Sequence, residues 1–229
     1  MKIKSFFFSA ALLGLAFTSC SAGLSSKSTD VDSVSYAFGI NIGESLKKSK
    51  IDGLTPAIIA AGISDVLEKE GANAKMTYDE SIEILQSYFT KMQTQTLEKN
   101  TAAGREFLEN NKSAEGVITL ESGLQYKVVT AGTGAKPTAE DEVKVHYRGT
   151  LLNGDEFDSS YERGEPITFR LDRVIKGWTE GLQQIPAGSK VILYVPSNLA
   201  YGSQGSGSIE PNSTLIFEIE LLEVIPAKK

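Results

Sequence analysis

The hydrophobic pattern of this chain changes its period near Gly116, and this change constrains the fold more than any other feature. Before it, apolar residues recur every four positions from Val34 to Leu46, which is the spacing of one face of an α-helix. After it, apolar and polar residues alternate, as in residues 143–148, which is typical of strands with one buried face. The sequence therefore predicts a helical N-terminal part followed by a β-rich part.

Two helices are predicted between residues 30 and 70. The first carries the apolar stripe, with Gly39 and Gly43 between its members, where a second backbone can approach closely. The second begins at Pro56, with Thr55 as its N-cap, and is expected to end at Gly71.

A third, much longer helix is predicted from the capping box at residues 77–80 to about Asn110. About 33 residues correspond to about 50 Å at 1.5 Å per residue. Its second half has few apolar residues, so we expect it to bury nothing against its own chain. Gly104 is the position where we expect it to bend or fray.

The part after Gly116 predicts an α+β domain, with an antiparallel sheet curved around one short helix. That helix carries Trp178 and Leu182 on its apolar side. Five strands are expected, within Leu124–Val128, Val143–Arg148, Ile167–Leu171, Lys190–Val195 and Phe217–Leu221.

The N-terminus has the pattern of a secretory signal. Lys2 and Lys4 precede an apolar run from residue 6 to 17, too short to span a membrane as a helix. The segment ending at Cys20, the only cysteine, resembles a bacterial lipobox. We expect a lipoprotein signal peptide at 1–19, lipidation of Cys20 and a flexible tether at 20–30. The alternative is a plain signal peptide with an incidental cysteine. The protein is then exported and anchored in the cell envelope, at the periplasmic face of the outer membrane.

The net charge of −6 argues against a nucleic-acid partner, because neither half of the chain is basic. His146, the only histidine, falls on an outward strand position and is a poor candidate for a catalytic base. No metal or cofactor is expected.

Five motifs in the C-terminal half resemble the FKBP family of peptidyl-prolyl cis/trans isomerases, in family order and spacing. They are Val145–Gly149, Gly154–Ser160, Val174–Leu182, Ala200–Gly202 and Pro211–Phe217. The resemblance implies an isomerase domain over residues 113–229 that acts on proline-containing polypeptides and binds rapamycin-like macrolide inhibitors.

The resemblance also implies the members of a substrate pocket. Trp178 is its expected floor, Tyr201 a hydroxyl donor to the substrate carbonyl, and Asp158 the partner that fixes Tyr147. The expected substrate-binding residues are Phe157, Phe169, Val174, Ile175, Ile209 and Phe217. Taken one at a time, inward-facing aromatic residues are more often part of an ordinary core, but here they converge with Asp158 and Tyr201, the polar groups that a pocket needs. The loop at 203–211 departs from the family by being polar and glycine-rich.

No nucleophile is needed for this reaction. Rotation about a peptide bond costs about 18–20 kcal/mol because it removes the amide resonance. A dry aromatic pocket favours the twisted, less polar amide, so that catalysis is preferential binding of one conformation. A binding module without turnover, or an anchored structural protein, are the alternatives.

The N-terminal helices resemble the dimerisation region of macrophage infectivity potentiator-like FKBPs, through residues 35–43, residues 60–67 and the long helix. This resemblance implies a homodimer formed through residues 31–112 and a role in folding exported proteins. The alternative is a small monomeric helical cap on the isomerase domain.

Overall fold

The computed structural model describes residues 29–49, 51–68 and 74–227. The N-terminal signal, Cys20 and Gly71 therefore lie outside the described residues. The helices are α1 (Asp30–Lys48), α2 (Pro56–Leu67), α3 (Tyr78–Asn111) and α4 (Lys176–Leu182). The strands are β1 (Val117–Thr119), β2 (Gln125–Thr130), β3 (Glu142–Leu151), β4 (Glu156–Ser159), β5 (Ile167–Arg170), β6 (Lys190–Val195) and β7 (Leu215–Ile225).

The chain divides into two compact units, residues 1–75 and 76–229. In the first, α1 and α2 contain no buried residue. The capping box of α3 is confirmed, since Thr77 Oγ1 accepts from the Glu80 backbone N–H and the Glu80 carboxylate accepts from the Thr77 N–H. Among the described residues, no helix is long and apolar enough to cross a membrane.

The second unit is built on one antiparallel sheet with strand order β1-β2-β6-β7-β3-β4, and β5 also pairs with β3. The long strands β3 and β7 pair over most of their lengths, which places Tyr147 opposite Ile219 and Gly149 opposite Phe217. Seven strands are present where five were expected. The two that were missed, β1 and β4, have three and four residues, too few to establish an alternating pattern.

The core of the second unit lies between this sheet and α4. Leu182 and Leu193 are fully buried, and Trp178 is 5% exposed. A Cβ added to Gly181 would meet the Leu193 side chain, so the small residue lets α4 lie directly against β6. The prediction of a sheet that covers one short helix is confirmed.

The second half of α3 packs against the sheet domain, and the expectation that it buries nothing is wrong. The Phe107 and Tyr194 ring centroids are 5.8 Å apart, and Gln125 Nε2 donates to the Leu108 carbonyl at 2.8 Å. Gly104 is buried inside a continuous helix and marks no bend, because Thr214 occupies the space that a Cβ would need. This half of α3 accordingly belongs to the same compact unit as the sheet, residues 76–229.

Candidate active site

Five aromatic side chains from five different elements meet above the sheet. The Trp178 ring, on α4, contacts Tyr147 of β3 and Phe217 of β7 edge to face, each with centroids 5.1 Å apart. Phe169 of β5 lies at 5.5 Å from Trp178. Phe157 of β4 adds a further edge-to-face contact to Phe217 at 5.5 Å. The result is an aromatic cluster, here named the Trp178 pocket, whose central member is buried.

The alternation of β3 explains how Tyr147 enters this cluster. Val143, Val145 and Tyr147 occupy successive inward positions and are buried, as the period-two pattern predicted. Trp178 Nε1 is the one buried side-chain donor in the described part of the chain that lacks a hydrogen-bond partner. A buried donor without a partner is uncommon in folded proteins, and here it lies in the aromatic cluster.

Asp158 forms a polar edge to the Trp178 pocket together with a residue that the sequence did not point to, Arg163. The Tyr147 hydroxyl donates to Asp158 Oδ2, and Arg163 Nη1 donates to Asp158 Oδ1 at 2.5 Å. Arg163 Nη2 also donates to the Tyr147 hydroxyl oxygen at 2.8 Å. The guanidinium lies 5.5 Å from the Tyr147 ring centroid, so it also makes a cation–π contact.

These contacts hold the three groups in defined charge states. Burial acts to raise the pKa of Asp158, but the hydrogen bonds from Tyr147 and Arg163 and the Arg163 charge outweigh it, and the net pKa is lowered. The pKa of Tyr147 is raised by burial first and by its hydrogen bond to Asp158 second. At neutral pH the site therefore contains a carboxylate, a guanidinium and a protonated phenol.

Tyr201 and Ile209 lie in the segment between β6 and β7. Tyr201 is 39% exposed, and the pKa of its hydroxyl is raised by burial and by the negative charge of Asp158, so it remains a donor at neutral pH. Ile209 is 7% exposed, and its backbone exchanges two hydrogen bonds of 2.9 Å with Ser206. Val174 and Ile175, just before α4, are half-buried against the same core.

His146 lies on the opposite face of β3 from the Trp178 pocket. Its ring stacks on Tyr161 at 4.7 Å, and its Nδ1 is 3.0 Å from Ser160 Oγ. This outward position agrees with the sequence-based expectation. Among the described residues, no group of three or more histidine, cysteine, aspartate or glutamate side chains is placed to hold a metal ion.

Comparisons with known proteins identify both halves of the chain. A family model described as FKBP-type peptidyl-prolyl cis-trans isomerase matches residues 133–222, and one described as the domain amino terminal to it matches residues 31–128. The FKBP-type peptidyl-prolyl cis-trans isomerase FkpA of Aeromonas hydrophila is 47% identical over 82% of this chain and 74% of its own. The outer membrane protein MIP of Legionella longbeachae is 41% identical over 98% of each chain.

A solved structure is similar over most of the chain as well. The crystal structure of FkpA from Escherichia coli matches 87% of this chain and 99% of its own, at 39% identity and a TM-score of 0.67. With these similarities, the fold defines an enzyme that isomerises the peptide bond before proline. The chain belongs to the FKBP-type peptidyl-prolyl cis-trans isomerases, in the group whose isomerase domain follows an N-terminal helical domain.

Proposed function

We propose that the Trp178 pocket is the place where this isomerase binds the proline ring and where the preceding peptide bond rotates. The observation that carries the proposal is the convergence of Tyr147, Phe169 and Phe217 on the Trp178 ring beside the Asp158 carboxylate. Trp178 forms the floor under the proline ring. Val174, Ile175, Phe157 and Ile209 complete the apolar wall.

The chemistry follows from the polarity of the amide. The planar peptide bond is more polar than the twisted one, and its resonance sets a barrier of about 18–20 kcal/mol. An apolar pocket gives the planar form less solvation than water does, whereas the twisted form loses little. A million-fold acceleration requires about 8 kcal/mol of such preferential stabilisation, shared among the pocket contacts.

The polar residues orient the substrate in this scheme. Tyr201 donates a hydrogen bond to the substrate carbonyl, since its hydroxyl stays protonated. Asp158 holds Tyr147 in place through the phenol hydrogen bond, and Arg163 holds Asp158. Asp158 also sets the electrostatic field that the rotating carbonyl experiences.

The test is a peptide isomerisation assay with three variants. We expect Tyr201→Phe and Asp158→Asn to lower kcat/KM at least several-fold, since each loses a polar contact to the substrate or to its neighbours. Tyr161→Phe is the matched control, because its hydroxyl instead donates to Glu220 on the outer face at 3.0 Å. Unchanged kcat/KM in both pocket variants would remove these residues from the site. A rapamycin-like macrolide should compete with the peptide.

We further propose that the N-terminal unit forms a homodimer. Val31, Phe38, Ile58 and Leu67 are between 66% and 77% exposed in the single chain. A groove of about 450 Å³ between α1 and α2 is lined largely by apolar and small residues. Apart from the neighbouring residues and backbone of α1 itself, no described atom lies within 4 Å of a Cβ added at Gly39 or Gly43, so these glycines leave room for a second backbone. Such a continuous apolar surface is typical of an interface.

We also propose that the protein is exported and anchored in the cell envelope through lipidated Cys20, at the periplasmic face of the outer membrane. Its proposed role there is to assist the folding of exported proteins. The relative named as an outer membrane protein, which is matched over 98% of each chain, supports the location. Cys20→Ser should release the protein from the membrane fraction and leave kcat/KM on a short peptide unchanged. Continued membrane association of this variant would contradict the anchor.

A further inference from the structure

The second half of α3 contacts the segment that carries two members of the proposed pocket, Tyr201 and Ile209. Asn100 Nδ2 donates to the Pro211 carbonyl at 2.9 Å, and it lies 3.4 Å from a Glu210 carboxylate oxygen. One position along the helix, Thr101 Oγ1 accepts from Asn212 Nδ2 at 2.9 Å. Two consecutive helix residues therefore contact three consecutive residues, 210–212, of this segment between β6 and β7.

The helix is a firm support for these bonds because it is also attached to the sheet. Asn111 Nδ2 donates to Gln125 Oε1 at 2.8 Å, while Gln125 Nε2 donates to the Leu108 carbonyl. Phe107 packs on Tyr194 of β6. A segment hydrogen-bonded to α3 is thereby fixed relative to β2 and β6.

The segment itself has a backbone that requires support. Asn212 has a φ of 56°, and it is the one non-glycine residue in the described ranges with a positive φ. That conformation is costly for residues with a side chain, although asparagine tolerates it better than most. Its backbone N–H donates to the Gly202 carbonyl at 2.8 Å, next to Tyr201. Asn212 thus joins Thr101 of the helix to the residue that follows Tyr201.

Apolar packing does not replace these hydrogen bonds. Cavities of about 370 Å³ and about 190 Å³ are both lined by Asn100 and Thr214, at the contact between α3 and the segment. Before the buried Ile209, the glycine and serine residues of 205–208 offer no large side chain to pack against α3. The hydrogen bonds of Asn100 and Thr101 therefore join residues 211 and 212 to α3, whereas Ile209 is itself buried in the core.

We infer that α3 is part of the isomerase site, and that Asn100 and Thr101 are positioning residues that hold Tyr201 and Ile209 in their substrate-binding arrangement. The inference rests on the proposed roles of those two pocket residues. When the helix contact is lost, the segment samples other arrangements, and the apparent affinity for substrate falls with the fraction that remains competent. The chemical step in the competent fraction is unchanged.

The test compares Asn100→Ala, Thr101→Val and Asn212→Gly in the full chain. Asn212→Gly keeps the positive φ but loses the hydrogen bond to Thr101. Asn212→Gly and Thr101→Val therefore remove the same contact. KM for a short proline peptide should rise about threefold to tenfold with kcat within twofold, as loss of one hydrogen bond predicts. The double variant Thr101→Val/Asn212→Gly should be no worse than either single one. Asn110→Ala, at an exposed asparagine of the same helix, should match the wild type.

The assay is run well below the melting temperature of each variant, so that a general loss of stability leaves KM unchanged. Tyr201→Phe and Ile209→Ala are measured beside them. If these two raise KM or lower kcat while Asn100→Ala and Thr101→Val do not differ from Asn110→Ala, the inference is wrong and the proposed site stands. If Tyr201→Phe and Ile209→Ala are without effect, the proposed roles of Tyr201 and Ile209 are wrong. The inference, which rests on those roles, is then wrong as well. A fall in kcat alone in the helix variants would also overturn the inference.

Discussion

The electrostatics of the site depend on three side chains from two neighbouring parts of the chain. Tyr147 comes from β3, whereas Asp158 and Arg163 come from β4 and the turn that follows it. Arg163 donates to both of the others, so its charge opposes that of the carboxylate. Burial and the hydrogen bond to Asp158 keep the phenol protonated. Asp158 and Arg163 are each more than 40% exposed, so water screens their pairing. Their contribution is therefore orientation more than stability.

The first prediction concerns the titration of Asp158. Its pKa in the fold lies below the ordinary value of 3.8, so its stabilising effect is complete above pH 3.8 and is lost as the pH falls through the lowered pKa. Arg163→Met removes the opposing charge while burial continues to raise the pKa, so the carboxyl should titrate at a higher pH than in the wild type. Carbon NMR of the Asp158 carboxyl measures this, with Arg173→Met as an exposed control. An identical titration curve in Arg163→Met would contradict the assignment.

At the residue scale, the sequence predicts the pocket residues better than it predicts Arg163, the residue that holds two of them in place. Tyr147, Asp158 and Trp178 stand in motifs, and the structure brings them together. Arg163 follows a tyrosine and a glutamate in a turn, where no periodic pattern distinguishes a functional arginine from a solvated one. Its role depends on the turn after β4, which brings it back to Asp158 and to Tyr147 on β3. The contact with Tyr147 joins residues 16 positions apart and is a tertiary contact.

At the scale of elements, α3 is the feature whose role the sequence misjudged. Apolar periodicity identifies helix faces that pack through leucine or phenylalanine. The second half of α3 instead packs through one aromatic contact, a buried glycine and amide side chains. Polar residues that make such contacts look the same in sequence as solvated ones. Strands β3 and β6 were predictable for the opposite reason, since their burial alternates along the strand.

The second prediction tests this packing at Gly104. A Cβ there collides with Thr214 Oγ1, so Gly104→Ala should lower the free energy of unfolding of the second unit by about 1–3 kcal/mol. Removing the hydroxyl in Gly104→Ala/Thr214→Ala should restore much of it, since alanine is about 1 kcal/mol better than glycine inside a helix. Denaturant unfolding measures both. A single Gly104→Ala variant more stable than the wild type would show that α3 does not lie against Thr214.

At the scale of the whole molecule, the proposed pocket and the exposed apolar helices lie in different units. The second contains all the residues of the proposed pocket, and the first presents apolar surface in place of a core of its own. Two short helices without a buried residue cannot be stable by themselves, because folding must overcome about 1–2 kcal/mol of backbone entropy per residue. Association with a second copy would supply the missing burial.

The third prediction follows from that division. Phe38→Glu places a charge on the proposed interface and should convert the dimer to a monomer in sedimentation equilibrium, while kcat/KM for a short peptide stays within twofold. Lys48→Glu puts the same charge at an exposed polar position of α1 and should remain dimeric. A wild-type protein that sediments as a monomer would contradict the proposed dimer.

The most direct test of the whole account is the rate at which Trp178→Leu isomerises a short proline peptide, followed by NMR exchange between the cis and trans forms. Leucine keeps much of the apolar volume but removes the flat floor that the proline ring contacts. Far-UV circular dichroism and thermal unfolding establish that the variant is folded. The account predicts a loss of about tenfold or more in kcat/KM, chiefly through a higher KM. Wild-type catalysis by a folded Trp178→Leu protein would mean that the peptide bond rotates somewhere other than in this pocket.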